Sequence, residues 1–189
     1  EEAVIEEFIA RLINAVAQIG KSYVFEFILI NDGSKDNSLE LMKKCVLQEK
    51  RIRVIELRRN YGQTPALQAG VDAAKGEILV TMDSDLQHFP EEIPAFINKL
   101  EEGSDMVCGW RHDRQEDLLR RWPSRIANML IRKISNIDLH DFGTTFRAYR
   151  SELAHDIEIY GEFHRFIPVL GHLAGAKIVE LPIRNVARN

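Results

Sequence analysis

The stretch Thr81-Met82-Asp83-Ser84-Asp85-Leu86-Gln87 decides how this chain is read. It completes a short apolar run, Glu77 to Met82, that reads as a strand and delivers two carboxylates, one residue apart, into a loop. Side chains alternate along a strand, so residues i and i+2 point the same way. With extended backbone through Ser84, Asp83 and Asp85 converge on one small volume. Converging carboxylates repel unless a cation lies between them. Hard oxygen ligands with open positions suit Mg²⁺ or Mn²⁺, ions that usually bridge a substrate diphosphate. A lone Asp-x-Asp at an acidic strand end also arises by chance, so the surrounding segments carry the decision.

Working outward, strands and helices alternate. Val4, Ile5, Phe8, Ile9, Leu12, Ile13 and Val16 recur at helical spacing and predict a helix over Ala3 to Ile19. Val24 to Ile30 reads as a buried strand ending at Asn31-Asp32-Gly33-Ser34. Asn37 and Glu40 resemble a capping box that opens a helix to Gln48. Arg53 to Leu57 is a predicted strand, Thr64 to Ala74 a helix, and Pro90 with Glu91 and Glu92 suits the first turn of a helix to Glu102. Asp105 to Trp110 is a further strand. Thr144 to Arg150 and Lys177 to Pro182 are the last two, with helices near Glu152–Ile159 and Arg165–Ala174 between them. This alternation predicts an α/β domain with a mainly parallel sheet. Ligands in such sheets bind beyond the carboxyl ends of the strands, and those ends carry Asp32, Arg58-Arg59-Asn60, Asp83 with Asp85, and Trp110-Arg111.

Composition narrows the class. At 189 residues the chain fits one domain with a sizeable core. A net charge of -4 offers no general attraction to nucleic acid. No apolar run approaches the roughly 20 residues that span a bilayer, and the opening Glu1-Glu2 with its amphipathic pattern does not read as a signal peptide. Cys45 and Cys108 lack metal-ligand spacing and sit among Leu41, Val46 and Val107, which predicts buried free thiols in a reducing compartment. His88, His112, His140, His155 and His172 show no ligand spacing and read as structural or exposed.

After Arg111 the pattern changes. His112 to Asn136 is basic, with Arg114, Arg120, Arg121, Arg125, Arg132 and Lys133, and its helical half carries Ile126, Met129, Leu130 and Ile134 on one side. A basic amphipathic helix opened by Trp122 suits a membrane interface, or a helix packed on its own domain with a solvated basic face.

The segments form a series: Asn31-Asp32-Gly33-Ser34-Lys35-Asp36, Arg59-Asn60-Tyr61-Gly62-Gln63-Thr64-Pro65-Ala66, Asp83-Ser84-Asp85-Leu86-Gln87 and Gly109-Trp110-Arg111. In order and spacing the series resembles the inverting family 2 glycosyltransferases of the GT-A fold, a three-layer α/β/α domain. Asp141-Phe142-Gly143-Thr144-Thr145-Phe146-Arg147 and Gly161-Glu162-Phe163-His164-Arg165-Phe166-Ile167-Pro168 narrow it to the polyprenyl-phosphate branch, which holds dolichyl- and undecaprenyl-phosphate sugar transferases.

The resemblance implies a UDP- or GDP-linked nucleotide sugar, a polyprenyl phosphate acceptor, Mg²⁺ or Mn²⁺, and work at the cytoplasmic face of a membrane in cell-envelope glycan or glycoconjugate synthesis. It places Asp32, Gly62, Gln63, Asp83, Gln87 and Arg111 on the donor, and Asp83 with Asp85 on the metal. Arg125 and His164 fall to the acceptor phosphate, and Asp85, Asp141, Glu162 and Arg165 to the chemistry. Asp32 also suits a turn beside Gly33, and Asp141 a cap before Gly143. Glu162 also reads as a charge at a helix start, and His164 as a packed side chain. A phosphate monoester, with its second pKa near 6, is already anionic at neutral pH. It therefore needs positioning more than a strong base, and Asp141 is the candidate base or acceptor-orienting group. The resemblance also favours the interfacial reading of the basic helix.

The chain departs from the family in places. Relatives usually begin with a strand carrying a Pro-x-Tyr-Asn-Glu-type segment and continue past the catalytic domain into basic residues and membrane helices. Residues 1–189 are thus expected to be one catalytic domain without the first strand and any C-terminal membrane segment, its sheet left with an exposed edge or a central gap. Asn31 stands where the family usually has Asp, and Thr144-Thr145 where many relatives have Ser-Gly. The alternative is a non-catalytic nucleotide-binding or membrane-scaffold domain on the same fold. A sugar nucleotidyltransferase is disfavoured by the lack of a Gly-rich phosphate loop, and a processive synthase by the lack of Gln-x-x-Arg-Trp. The sugar, the base and the oligomeric state stay open, a homo-oligomer included.

Overall fold

The computed structural model describes residues 2, 4–20, 23–112, 129, 131–132, 135, 137–157, 161 and 163–186. Helix α1 (Ile5–Ala17) buries Ile5, Phe8, Ile9 and Val16, a stripe at helical spacing. Strand β1 (Phe27–Asn31) pairs in parallel with β2 (Ile52–Glu56); α2 (Ser38–Gln48) connects them, and α3 (Gln63–Ala73) leads onward. A second sheet has the order β3 (Ile78–Thr81), β5 (Arg147–Arg150), β4 (Met106–Trp110), β6 (Ile178–Pro182). Strand β4 runs parallel to β6, while β5 is antiparallel to both β3 and β4. Three of these four strands therefore point one way. Among the described residues no ladder joins β1 to β3.

Alternation along the central strands builds three layers. Met106, Cys108 and Tyr149 point to one side, where they join Val71 of α3, Leu153 of α5 (Ser151–Asp156) and Ile167 of α6 (Ile167–Leu173). Val107 and Ala148 point to the other, against Phe96, Ile97 and Leu100 of α4 (Ile93–Glu101), with Leu12 of α1 at the margin. Phe96 and Phe146 stack there with ring centroids 4.2 Å apart. A third cluster seals α1 and α2 onto β1 and β2. The sheet is buried on both faces, so β4 reads as a continuous apolar run.

Strand direction places the loops. β3 and β4 end at one rim, giving Asp83–Gln87 and Arg111. Because β5 runs the opposite way, the loop that enters it, Asp141 to Phe146, arrives at that same rim: Arg147 pairs with Thr81 on one side and Cys108 on the other.

Most predicted elements are present with ends shifted by a few residues. The segment from Pro90 begins as a 3-10 turn, Pro90–Glu92, before α4, and that from Arg165 divides into a 3-10 turn, Phe163–Phe166, and α6. The Asn37–Glu40 capping box is not formed. Asp36 instead accepts the Ser38 amide at 3.1 Å, the Asn37 side chain donates to Glu2 at 2.9 Å, and Glu40 accepts from Lys43 at 3.2 Å. Those bonds from Ser38 hold the Asp36 carboxyl down at about 2. Both cysteines are buried and free. Of the basic segment, Arg114, Arg120, Arg121, Trp122, Arg125, Ile126, Leu130, Lys133 and Ile134 lie outside the described residues. Ile131 packs against the core, while Met129 is 60% exposed. Among the described residues no helix is long and apolar enough to cross a membrane.

Candidate active site

The rim is assembled by side chains binding loops from different strands. Asp32, just past β1, accepts the amides of Tyr61 at 2.7 Å and Gly62 at 2.8 Å. Its carboxylate thereby fixes the turn that opens α3. Gly33 is required beside it: its φ is +68°, and an added Cβ would lie 2.5 Å from the Asn60 nitrogen. Gln63, first residue of α3, donates from Nε2 to Asp83 Oδ1 at 3.1 Å. The other oxygen of Asp83 accepts the Thr145 hydroxyl at 2.8 Å, and the Thr145 carbonyl accepts from Thr81 Oγ1 at 2.8 Å. Two neighbouring loops thus hold one carboxylate.

The Asp-x-Asp segment reaches the rim by a bend. β3 ends at Thr81, and the chain turns from Ser84 to His88. Strand alternation therefore does not place Asp85, because the paired strand ends at Thr81 and the chain already bends at Ser84. Asp85 Oδ1 accepts the Gln87 amide at 3.1 Å. Leu86, between them, has φ 60°, the only positive value at a non-glycine among the described residues; such a conformation costs about 1–2 kcal/mol in an L-residue. The Gln87 carbonyl accepts the Val186 amide at 3.2 Å, tying the loop to the segment after β6.

His88, read from the sequence as structural or exposed, is buried to 3% exposure. Neither ring nitrogen has a hydrogen-bond partner among the described residues. Burial first, and the Arg111 charge second, push its pKa below the ordinary value, against the opposing pull of Asp83, Asp85 and Asp141. That balance puts all four charged groups within electrostatic reach of one imidazole.

Across the rim, Asp141 and Arg111 form a two-pronged ion pair, Nε to Oδ2 at 2.7 Å and Nη2 to Oδ1 at 2.9 Å. Asp141 is 2% exposed and also accepts the Gly143 amide at 3.0 Å. It therefore caps its turn and holds the guanidinium at once. A Cβ at Gly143 would sit 3.1 Å from Arg111 Nη2, so the turn leaves the arginine its space. Glu180 of β6 supports the pair from behind, accepting the amides of His140 and Asp141 at 2.7 and 2.9 Å. Its second oxygen lies 2.9 Å from His140 Nδ1, and the His140 ring stacks on Trp110 with centroids 4.4 Å apart.

The 3-10 turn Phe163–Phe166 forms the remaining wall. His164 is buried, with Nδ1 2.9 Å from Thr64 Oγ1 of α3, so its ring is packed rather than open at the rim. Arg165 is exposed, between Phe163 and Phe166, each 38% exposed and 5.7 Å apart. The predicted site residues Glu162 and Arg125 lie outside the described residues.

Asp83 and Asp85 are half-buried carboxylates, and among the described residues no group of three or more His, Cys, Asp or Glu side chains could hold a metal ion. Two hard oxygens without a third protein ligand suit Mg²⁺ or Mn²⁺, which leave positions for water and phosphate. They do not suit a zinc centre, which takes three or four protein ligands. Sequence reasoning missed Thr145, Glu180, Arg147 and the burial of His88. Only Thr145 carried a signal, as the hydroxyl residue where many relatives have glycine.

Comparison with known proteins shows the family and the fold. The dodecaprenyl-phosphate galacturonate synthase of Rhizobium johnstonii is 40% identical over 190 residues, covering 97% of this chain and 56% of that protein. The undecaprenyl-phosphate 4-deoxy-4-formamido-L-arabinose transferase of Shewanella sediminis is 36% identical over 190 residues, covering all of this chain and 57% of that protein. The chain thus spans about half the length of these relatives. Glucosyl-3-phosphoglycerate synthase from Mycobacterium tuberculosis, solved with Mn²⁺ and UDP-glucose, superposes with a TM-score of 0.72 at 20% identity, over 100% of this chain and 68% of its own, and so shares the fold. Residues 1–158 match the Glycosyl transferase family 2 domain, the same span that carries Asp32, Asp83, Asp85, Arg111 and Asp141, and by that match the chain belongs to the family 2 glycosyltransferases of the GT-A fold.

Proposed function

We propose that this domain transfers a sugar, with inversion, from a UDP- or GDP-linked donor to a polyprenyl phosphate at the cytoplasmic face of a membrane. One observation carries the reading: a carboxylate pair, Asp83 and Asp85, shares its rim with a guanidinium, Arg111, held by Asp141. Carboxylates suit the metal-bound diphosphate; the guanidinium, which the resemblance set on the donor, is read here onto the acceptor phosphate, because Asp141 fixes it apart from Asp83. The names of the relatives support the acceptor class.

In this reading Asp83 and Asp85 hold Mg²⁺ or Mn²⁺, which when bound would act as a Lewis acid on the leaving nucleoside diphosphate. Gln63 and Thr145 orient Asp83 for that task. Asp32 shapes the Asn60–Gln63 turn, and each of its oxygens keeps a second lone pair for a nucleoside N–H. Gln87 lines the donor side. Asp141, with both oxygens engaged, acts by fixing Arg111 rather than by taking a proton. The acceptor is already anionic, so orientation and charge stabilisation supply the catalysis. Arg165, on the opposite wall, is the second cation for an incoming phosphate, Arg125 and Glu162 are assigned to the acceptor side by the resemblance, and the packed His164 anchors the turn that carries Arg165.

Calorimetric titration with UDP and GDP, each with and without Mn²⁺, tests the donor half, and sugar transfer to undecaprenyl phosphate in detergent tests the acceptor half. Metal-dependent binding of one nucleotide is expected. Its absence from a folded chain would instead favour a scaffold domain that keeps the fold without the chemistry.

A further inference from the structure

Arg147 is the largest fully buried side chain of the core, 2% exposed at the start of β5. Its guanidinium is always charged, yet no carboxylate pairs with it among the described residues. It spends its donors on two backbone carbonyls: Nη1 on His164 at 2.9 Å and Nη2 on Phe142 at 2.9 Å. Among the described residues its Nε has no hydrogen-bond partner. Across the ladder stands Cys108, whose thiol is pushed up to about 12, chiefly by burial, and so stays neutral.

A buried cation without an anion is costly, and the fold does not need one here. Tyr149, two residues along the same face, packs in the apolar core, and a hydrocarbon of similar volume would fill the space of Arg147. What a hydrocarbon lacks is the fork. Phe142 follows Asp141, and His164 precedes Arg165; one side chain therefore fixes the loop carrying the Arg111–Asp141 pair against the turn carrying Arg165. The Thr64–His164 bond anchors that turn to α3 from the other side.

We propose that Arg147 is a positioning residue for sugar transfer, setting the spacing between the Arg111–Asp141 pair and Arg165 across which the acceptor phosphate is held. The proposal rests on the function read above, and the donor site is built by other residues, Gln63, Thr145, Asp83 and Asp85. Removing the fork should therefore loosen the acceptor side and leave nucleotide binding alone.

The test uses Arg147→Met, which keeps volume, and Arg147→Lys, which keeps charge but reaches one carbonyl at a time. Three quantities are measured on each: affinity for the nucleotide diphosphate with Mn²⁺, kcat and KM for polyprenyl phosphate, and backbone amide exchange. For Arg147→Met we expect nucleotide affinity within about twofold of the native chain and kcat/KM for the acceptor down on the order of 100-fold, the scale of an ångström-level misplacement. Amide exchange should accelerate at 140–143 and 163–166, while Thr145, held to Thr81 and Asp83 by its own bonds, and α4 stay protected. Arg147→Lys should fall between the two. Native turnover in either folded variant would overturn the proposal, as would exchange rising equally in α4 together with lost nucleotide affinity. If Arg147→Met does not fold, Arg147→Lys decides on the same readouts. A native chain that transfers no sugar refutes the function instead, and the exchange pattern alone then decides whether Arg147 ties the two loops.

Discussion

Asp141 and Arg111 stand 30 residues apart in sequence, and their side chains meet in parallel hydrogen bonds of 2.7 and 2.9 Å. Asp141 is buried, whereas the Arg111 side chain keeps 15% exposure, so the pair has one anchored end and one end open toward the rim. Asp141→Asn keeps an acceptor for Gly143 but removes the charge that holds the guanidinium. Breaking such a pair from one side typically costs about 3 kcal/mol. Transfer is expected to fall at least 100-fold while metal-dependent nucleotide affinity changes by less than about threefold, because the donor-side carboxylates are untouched. Urea unfolding and steady-state kinetics on the same preparation check both halves. A stability loss with native turnover would reduce Asp141 to a turn cap.

Asp85→Asn separates metal binding from loop geometry. Asn retains an oxygen for the Gln87 amide, so the bend around Leu86 should persist, and the melting temperature should stay near that of the native chain. The lost negative charge should abolish the Mn²⁺-dependent part of nucleotide binding. Calorimetry with and without Mn²⁺ gives the answer, and unchanged Mn²⁺ dependence would remove Asp85 from the metal site.

How much of this was legible beforehand varies with range in sequence. Local periodicity fixed β1 to β4 and their helices, and the Asp-x-Asp segment was recognisable from its own seven residues. Three things were not. The direction of β5 depends on which strands flank it, and that direction brings Asp141 to the rim. An arginine in a strand reads as surface, so the burial of Arg147 had no local signal. Glu180 acts on residues 39 and 40 positions away, where no spacing rule applies. The Asn37–Glu40 pattern failed because Glu2, 35 residues away, accepts both the backbone amide and the side chain of Asn37, while Asp36 takes the Ser38 amide.

His88 gives a pH dependence whose sign follows from burial. Its pKa in the fold lies below the ordinary 6.5, so below that pH the unfolded chain binds a proton that the folded chain resists. The contribution to stability is complete above pH 6.5 and declines as pH falls through it, by at most about 1.4 kcal/mol per pH unit for one proton. Asp83, Asp85, Asp141 and Arg111 all act on this ring, and the three carboxylates temper the effect without reversing it. Unfolding free energies measured between pH 5 and 7 should slope upward with pH in the native chain and flatten in His88→Phe, whose ring suits the packing beside Phe146. Equal slopes in the two chains would show that His88 titrates freely in the fold.

Thr145 supplies the last test, because it touches Asp83 directly. Its hydroxyl donates to Oδ2 at 2.8 Å while Gln63 holds Oδ1 at 3.1 Å; together they leave the carboxylate one orientation. Thr145→Val preserves shape and β-branching and deletes the bond alone. A part-buried hydrogen bond to a charged group contributes about 1–2 kcal/mol, so Mn²⁺ affinity in the presence of nucleotide should weaken roughly five- to thirtyfold, with little change for nucleotide alone. Thr145→Ser keeps the hydroxyl and should restore most of the loss. Calorimetric Mn²⁺ titrations of the three chains distinguish orientation of Asp83 from mere packing: if the valine chain binds Mn²⁺ as the native one does, the hydroxyl stabilises the loop without tuning the metal site.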